Sequence, residues 1–441
     1  MTSEFYAVLD RTQEYISKQY AVLLSDSTQT SQLRIYLRDF LQKQGLAVPG
    51  MKEDELINAL YCEMAEYSII TPYLSRVDVE EININSWRDI AVHYSDGRIG
   101  KLRDRFRNPQ HSVDVVKKLL HESGMILDSS QPIVKGHLSN KIRVTALGGE
   151  IIDKDKGVAV SIRIVNPQKL SKDDFLRKGT ATPEMMDFLS LTQRYGIAQC
   201  FTGSTGSGKT TLMSWVLSCI PYEKRIITIE DGVREFDLEV LDDEGFVLNN
   251  VIHLCTRYNE DLSRNVDTEA ILEASLTCNP DIICVAEIKG AEGFAALEAA
   301  RTGHGVITTT HANSCEDTHS RIATCCMQKY PLPYETLLRL AQSAFPIVVF
   351  AKKLEDNSRK IMTIAECETH LDGSACMRTL WEYRVDKGGS DYSKITGRFI
   401  KVNAISESLQ RRLRENGMPG KILQGFCSMD DPELDREELV S

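Results

Sequence analysis

The stretch Gly203-Ser204-Thr205-Gly206-Ser207-Gly208-Lys209-Thr210 (GSTGSGKT) governs the reading of the whole chain. It fits the pattern GxxxxGK(S/T) at every fixed position, with an apolar run, Ala198 to Thr202, ahead of it and a helical pattern behind it. The chemistry asks for these residue types. Gly203, Gly206 and Gly208 let the backbone wrap closely round a phosphate, with successive N–H groups turned inward. Ser204, Thr205 and Ser207 complete the loop, and the helix start behind it adds the positive end of its dipole. Lys209 supplies a point charge for β and γ phosphates, Thr210 a hydroxyl for Mg²⁺, and Thr211 a weaker neighbouring contact.

Ligands of a parallel sheet gather at the carboxyl ends of its strands, so polar groups that follow other apolar runs are the next candidates. Asp281 to Glu287 (DIICVAE) ends in one carboxylate, and Glu287 is expected to activate or orient an attacking water; Asp281, at the wrong end, reads as structural. Arg225 to Asp231 (RIITIED) ends in two acids. Glu230 is expected to hold or polarise a water at the metal, and Asp231 to position Glu230 or a neighbouring loop. Gly305 to Thr310 (GVITTT) is followed by His311, expected to sense the γ-phosphate or bridge to Glu287. His304 lies at the other end of that run, and its role stays open.

Around these motifs, apolar strands separated by helices over residues 184–405 indicate an α/β domain with a parallel sheet covered on both faces. Residues 77–165 mix alternating strands, among them Lys141 to Leu147 (KIRVTAL) and Gly157 to Val165 (GVAVSIRIV), with one helix from Ser112, which suggests a small α+β domain. Residues 1–75 carry helical spacing only. Residues 166–183 are polar, contain two prolines and read as a linker; 406–441 read as a C-terminal helix and an acidic tail.

Composition narrows the class further. At 441 residues, 42% hydrophobic and 26% charged, the chain is an ordinary globular one, not collagen-like, disordered or a disulfide scaffold. Its net charge is −11, of which the six acids and one arginine of Asp430 to Ser441 supply −5, so a broad basic face for nucleic acid is not expected. Twelve cysteines form no CxxC pair and read as reduced, small apolar residues. No run approaches the ~20 apolar residues of a membrane span. The opening MTSEFYAVLDRTQEY lacks a cationic-then-apolar signal pattern. A cytoplasmic protein that reaches a membrane by docking is expected.

The four motifs in this order resemble the secretion ATPase superfamily, which includes pilus motors and type IV secretion ATPases. The phrase TGHGVITTTHANS at Thr302 to Ser314 makes the resemblance specific, and it covers about residues 77–370. The segments EININ, LCTRYNE and LEDNSRKIMTIAE are most similar to the CpaF/TadA branch, which serves tight-adherence pili. The resemblance implies a RecA-like P-loop domain, ATP and Mg²⁺ as ligands, and a homohexameric ring. It also implies inner-membrane platform or secretion-channel proteins as partners, without direct nucleic-acid binding. It further implies that two arginines of the N-terminal domain reach the phosphates, here Arg143 and Arg163, with Arg257 and Arg321 as lesser candidates. Two features depart from the family. Ala286-Glu287-Ile288-Lys289 stands where many members have Gly-Glu-x-Arg, and the four-cysteine zinc module of the pilus-extension branch is missing, which argues against a metal other than Mg²⁺. The expected activity is ATP hydrolysis coupled to pilus assembly, secretion or conjugation. A RecA-like nucleic-acid translocase and a non-hydrolysing ATP-bound scaffold remain as alternatives.

Overall fold

The computed structural model of the chain describes residues 2–19, 30–121, 124–165, 169–257, 262–370, 373–386 and 395–428. The acidic tail at 430–441 and residues 166–168 of the expected linker lie outside the described residues. The chain divides into two compact units, Met1–Asn166 and Pro167–Tyr258 with Leu262–Ser441. Among the described residues no helix is long and apolar enough to cross a membrane.

The first unit holds two cores. Helices α1 (Ser3–Gln19), α2 (Thr30–Gln44) and α3 (Glu53–Ala65) bury Phe5, Leu9, Ile16, Leu37 and Leu60 against one another. Further along, β1 (Val79–Ser86), β2 (Asp89–Tyr94), β3 (Ile99–Lys101), β4 (Ile133–Leu138), β5 (Ile142–Leu147) and β6 (Ala159–Ile164) form an antiparallel sheet in the order β3-β2-β1-β6-β5-β4. Alternation along β5 and β6 sends Val144, Ala146, Val160 and Ile162 into the core with Val116 and Leu120 of α4 (Pro109–His121), and leaves Arg143 and Arg163 on the other face. These two arginines stand directly opposite each other across the β5–β6 ladder. The helices are bound to the α+β part by the two-pronged Arg107–Asp10 pair (2.6 and 2.8 Å) and by Lys118 Nζ donating to the Glu66 carbonyl (3.1 Å).

The second unit is built on one sheet of nine strands. β7 (Gln199–Thr202), β8 (Ile226–Glu230), β9 (Val251–Cys255), β10 (Ile282–Val285), β11 (Gly305–Thr310) and β12 (Ile347–Lys353) run parallel in the order β12-β7-β11-β10-β8-β9. The central strands β7, β10 and β11 are buried along their whole length, as helices on both faces require. One face packs Leu212, Met213 and Val216 of α5 (Lys209–Ser218), the other Leu297 and Ile322 from later helices. The sheet then extends beyond the expected parallel strands: β13 (Arg359–Thr369), β14 (Ala375–Val385) and β15 (Gly397–Lys401) add on antiparallel to β12. A short turn at 354–358, with Asn357 at φ 64°, joins β12 to β13, and a connection that short can only join antiparallel neighbours.

The linker expected at 166–183 is corrected over its described part. Ser171 caps a short helix, Lys172–Arg177, by accepting from the Asp174 N–H (3.3 Å) and donating to its carboxylate (2.7 Å). Phe175 and Ala181 are buried in the core of the second unit. Polar composition pointed to a linker, but these two apolar anchors seat the segment.

Candidate active site

Strand β7 delivers the chain into the loop of residues 203–208, and α5 begins at Lys209. Two glycines are required by shape. Gly203 has φ 139°, and a Cβ on it would stand 2.0 Å from the Ala351 carbonyl oxygen of β12. Gly208 has φ 91° at the N-cap of α5. No side chain caps this helix, so the N–H groups of its first turn remain for an anion. Ser207 Oγ–H donates to the Ser204 carbonyl (2.7 Å) and tightens the loop, while Ser204, Thr205 and Gly206 are exposed at its rim. Thr210 and Thr211 follow, half-buried.

Lys209 is only 7% exposed. Its ammonium donates to the carbonyls of Gly203 (2.8 Å) and Ser204 (3.0 Å), as a buried charge must find acceptors. The same Gly203 carbonyl lies 3.0 Å from His311 Nδ1, and His311 Nε2 lies 3.1 Å from Glu287 Oε1. Lys209 Nζ is 3.5 Å from the imidazole. Three residues that follow three different strands, β7, β10 and β11, are thus joined in one chain of polar contacts at the carboxyl edge of the sheet. Thr309 and Thr310 hold the segment after β10 in place by donating to the Ala286 (2.7 Å) and Ile288 (2.9 Å) carbonyls. Glu287 and His311 keep 33% and 44% of their side chains exposed, so water reaches them.

Glu230 differs from expectation. Its side chain is 0% exposed and its carboxylate is fully engaged. Oε2 accepts the backbone N–H groups of Glu235 and Phe236 (3.0 Å for the latter); Oε1 accepts from Thr228 Oγ–H (2.6 Å) and faces His253 Nδ1 (3.2 Å). A carboxylate so saturated holds the 232–236 loop and has little acceptor capacity left for a metal-bound water. The expected metal role of Glu230 is corrected on that ground. Asp231 accepts from Thr256 Oγ–H (3.0 Å) and pairs with Lys289, which ties the end of β8 to the segment after β10. Lys289 is the residue that departs from the family's arginine, so here the basic position anchors Asp231.

The remaining candidates separate. His304 Nδ1 lies 3.2 Å from the Ala299 carbonyl, at the helix end that leads into β11, on the opposite edge of the sheet from the loop. Asp281 accepts the Arg225 N–H (2.7 Å) at the amino ends of β10 and β8. Arg257 donates to the Arg264 carbonyl (3.1 Å), and Arg321 is exposed on the helix Cys315–Cys326.

The family described as Type II/IV secretion system protein matches residues 140–430, well over half of the 441. This chain belongs to that family. Among its relatives, the type IV secretion system protein PtlH of Bordetella pertussis is 40% identical over 172 residues, covering 38% of this chain and 48% of PtlH. VirB11 of Brucella suis is 34% identical over 194 residues, covering 42% and 52%. The chain therefore spans about half the length of the curated relatives it matches. Two solved structures align over more of it. The Brucella suis VirB11 ATPase in complex with sulphate covers 67% of this chain and 94% of its own, at 24% identity and TM-score 0.35. DotB of Legionella pneumophila covers 84% and 94%, at 18% identity and TM-score 0.46. The matched span of the type II/IV secretion family includes all of the second unit's motifs and the two opposed arginines of the first.

Two contributions to this family member's site escaped the sequence. One is the buried Thr228–Glu230–His253 group, and the other is Arg359, whose Nε–H donates to the Gly206 carbonyl (2.9 Å). Only the match of the segment LEDNSRKIMTIAE to the family pointed near Arg359, and it did not single out the residue.

Proposed function

We propose that the chain is an ATP-hydrolysing motor subunit that acts as a homohexameric ring at the cytoplasmic face of a membrane, driving pilus assembly or type IV-type secretion or conjugation. The observation that carries this reading is the contact chain Lys209–Gly203–His311–Glu287. It brings a phosphate-binding ammonium and a water-accessible carboxylate to one loop.

Each residue has a task the geometry suits. The loop N–H groups and the start of α5 bind the phosphates. Lys209, already inside the loop, offers its charge to the β and γ phosphates. Glu287 accepts the proton of the attacking water. His311 orients Glu287, and its other nitrogen sits against a loop carbonyl, so the imidazole links the carboxylate to the phosphate cradle. Mg²⁺, when bound with the triphosphate, would neutralise charge between the β and γ phosphates. The Thr210 hydroxyl, which has no protein partner among the described residues, fits it, and Glu230 does not.

Arg143 and Arg163 supply the second grip in this proposal. The two stand side by side on one face of the β5–β6 ladder, and guanidinium forks suit phosphate. Hydrolysis and phosphate release would then loosen the grip on the nucleotide, and the resulting motion would be transmitted to inner-membrane platform or channel proteins. The CpaF/TadA-like segments favour a pilus machine. Turnover of ATP by the purified chain tests the reading. Arg143→Ala with Arg163→Ala should lower turnover at least about tenfold, and unchanged turnover would remove the two-sided grip while leaving nucleotide binding intact.

A further inference from the structure

The hairpin of β12 and β13 backs the phosphate loop. Its turn is firmly built: Leu354 N–H donates to the Ser358 carbonyl (2.8 Å), and Asp356 Oδ1 accepts the Ser358 N–H (3.0 Å) and Oγ–H (2.7 Å). From this platform three contacts reach the loop. The Ala351 carbonyl fills the space a side chain on Gly203 would need. Arg359 Nε–H donates to the Gly206 carbonyl at the exposed rim, 2.9 Å away. The Arg359 stem lies 3.3 Å from where a Cβ on Gly208 would stand.

The guanidinium is used on one edge only. Among the described residues no acceptor lies on the Nη atoms of Arg359, and the residue forms no ion pair. The register adds a second observation. Lys353 stands directly opposite Arg359 and Lys352 directly opposite Lys360, so two like-charged pairs face each other at the end of one hairpin. Such pairs are destabilising in isolation. Their nearest acids in sequence are Glu355, which is exposed, and Asp356, whose carboxylate is committed to the turn and to the Ile395 N–H (2.8 Å). Successive pairs alternate faces: Lys360 Nζ donates to the Gly179 carbonyl (2.6 Å) on one, and the Lys353–Arg359 pair lies on the face of the phosphate loop, where an anion would make it favourable.

We propose that Arg359 is a further nucleotide-binding residue, with Nε holding the rim of the loop and the Nη edge contacting the diphosphate of the bound nucleotide. Lys353, on the same face, raises the local positive potential. The inference rests on the nucleotide reading given above. Arginine suits the double task because its planar fork fixes two donor edges at once, whereas a lysine ammonium cannot hold a carbonyl and a phosphate in a set geometry.

The test is calorimetric titration of ADP with Mg²⁺ into the full chain, at low and at moderate salt, for wild type, Arg359→Ala, Arg359→Gln and Arg359→Lys, with thermal melts of each. The expected result is ADP binding weakened about ten- to a hundredfold in the alanine and glutamine variants, with unchanged melting temperatures. The salt dependence of the dissociation constant should also be shallower than in wild type, because one phosphate contact is lost. The lysine variant should fall between. Binding of Arg359→Ala within about twofold of wild type would overturn the proposal. So would full rescue by glutamine, which keeps a donor for the Gly206 carbonyl and removes the charge, because Arg359 would then be a loop latch only. A folded wild type that binds no ADP would instead refute the nucleotide reading itself.

Discussion

Glu287 and Glu230 make an instructive pair. Both are carboxylates at the carboxyl end of a parallel strand, and both face a histidine, at 3.1 and 3.2 Å. Yet one keeps a third of its side chain in solvent and the other none. Glu287 has one histidine contact and open access for water. Glu230 is surrounded by two backbone N–H groups, a threonine hydroxyl and an imidazole. The same local pattern therefore yields a water-accessible carboxylate on one strand and a saturated, structural one on the strand beside it. What separates them is the number of acceptor sites already engaged, because a carboxylate that satisfies a buried loop has nothing left to offer a substrate.

The sharpest way to break this comparison is kinetic. Glu287→Gln should lower ATP turnover by about 10²–10⁴-fold, the range of a lost general base, with the melting temperature unchanged; steady-state phosphate release and a thermal melt check both halves. Lys209→Ala should reduce turnover by on the order of 10²–10³-fold through loss of charge on the phosphates, and should weaken ADP binding in a titration. At the buried carboxylate the effect moves from rate to stability. Glu230→Gln places an amide where two backbone N–H groups need an acceptor, and the second unit should lose roughly 2–3 kcal/mol, seen as a fall of about 5–10 °C in melting temperature. The smallest effect belongs to Lys289→Ala. Its pair with Asp231 leaves half of the lysine side chain exposed, so stability should fall by less than about 1 kcal/mol in denaturant titration. A larger loss would mean that the tie between these two strand ends carries more stability than an exposed pair usually does.

The P-loop, the order of the apolar strands and the placement of His311 and Glu287 were legible because each depends on local pattern. Full burial of a strand shows as an apolar run, and the polar residue that ends the run marks the sheet edge. The role of Glu230 was not legible, because it depends on a loop folding back so that Glu235 and Phe236 present their N–H groups to it. No spacing in RIITIED encodes that return. Arg359 escaped for a similar reason, since it meets Gly206 from 153 residues away through an antiparallel hairpin. The linker was misread because its prolines and charges outweighed Phe175 and Ala181, the two residues that bury it. Arg143 and Arg163 sit in separate segments of sequence, and only strand register makes them a pair.

One measurement bears on the central distinction most directly: ATP turnover by Glu287→Gln and Glu230→Gln side by side, at a temperature where both are folded. The account predicts that the first is inactive while the second stays within about tenfold of wild type. Equal loss in both, or normal turnover by Glu287→Gln, would contradict it.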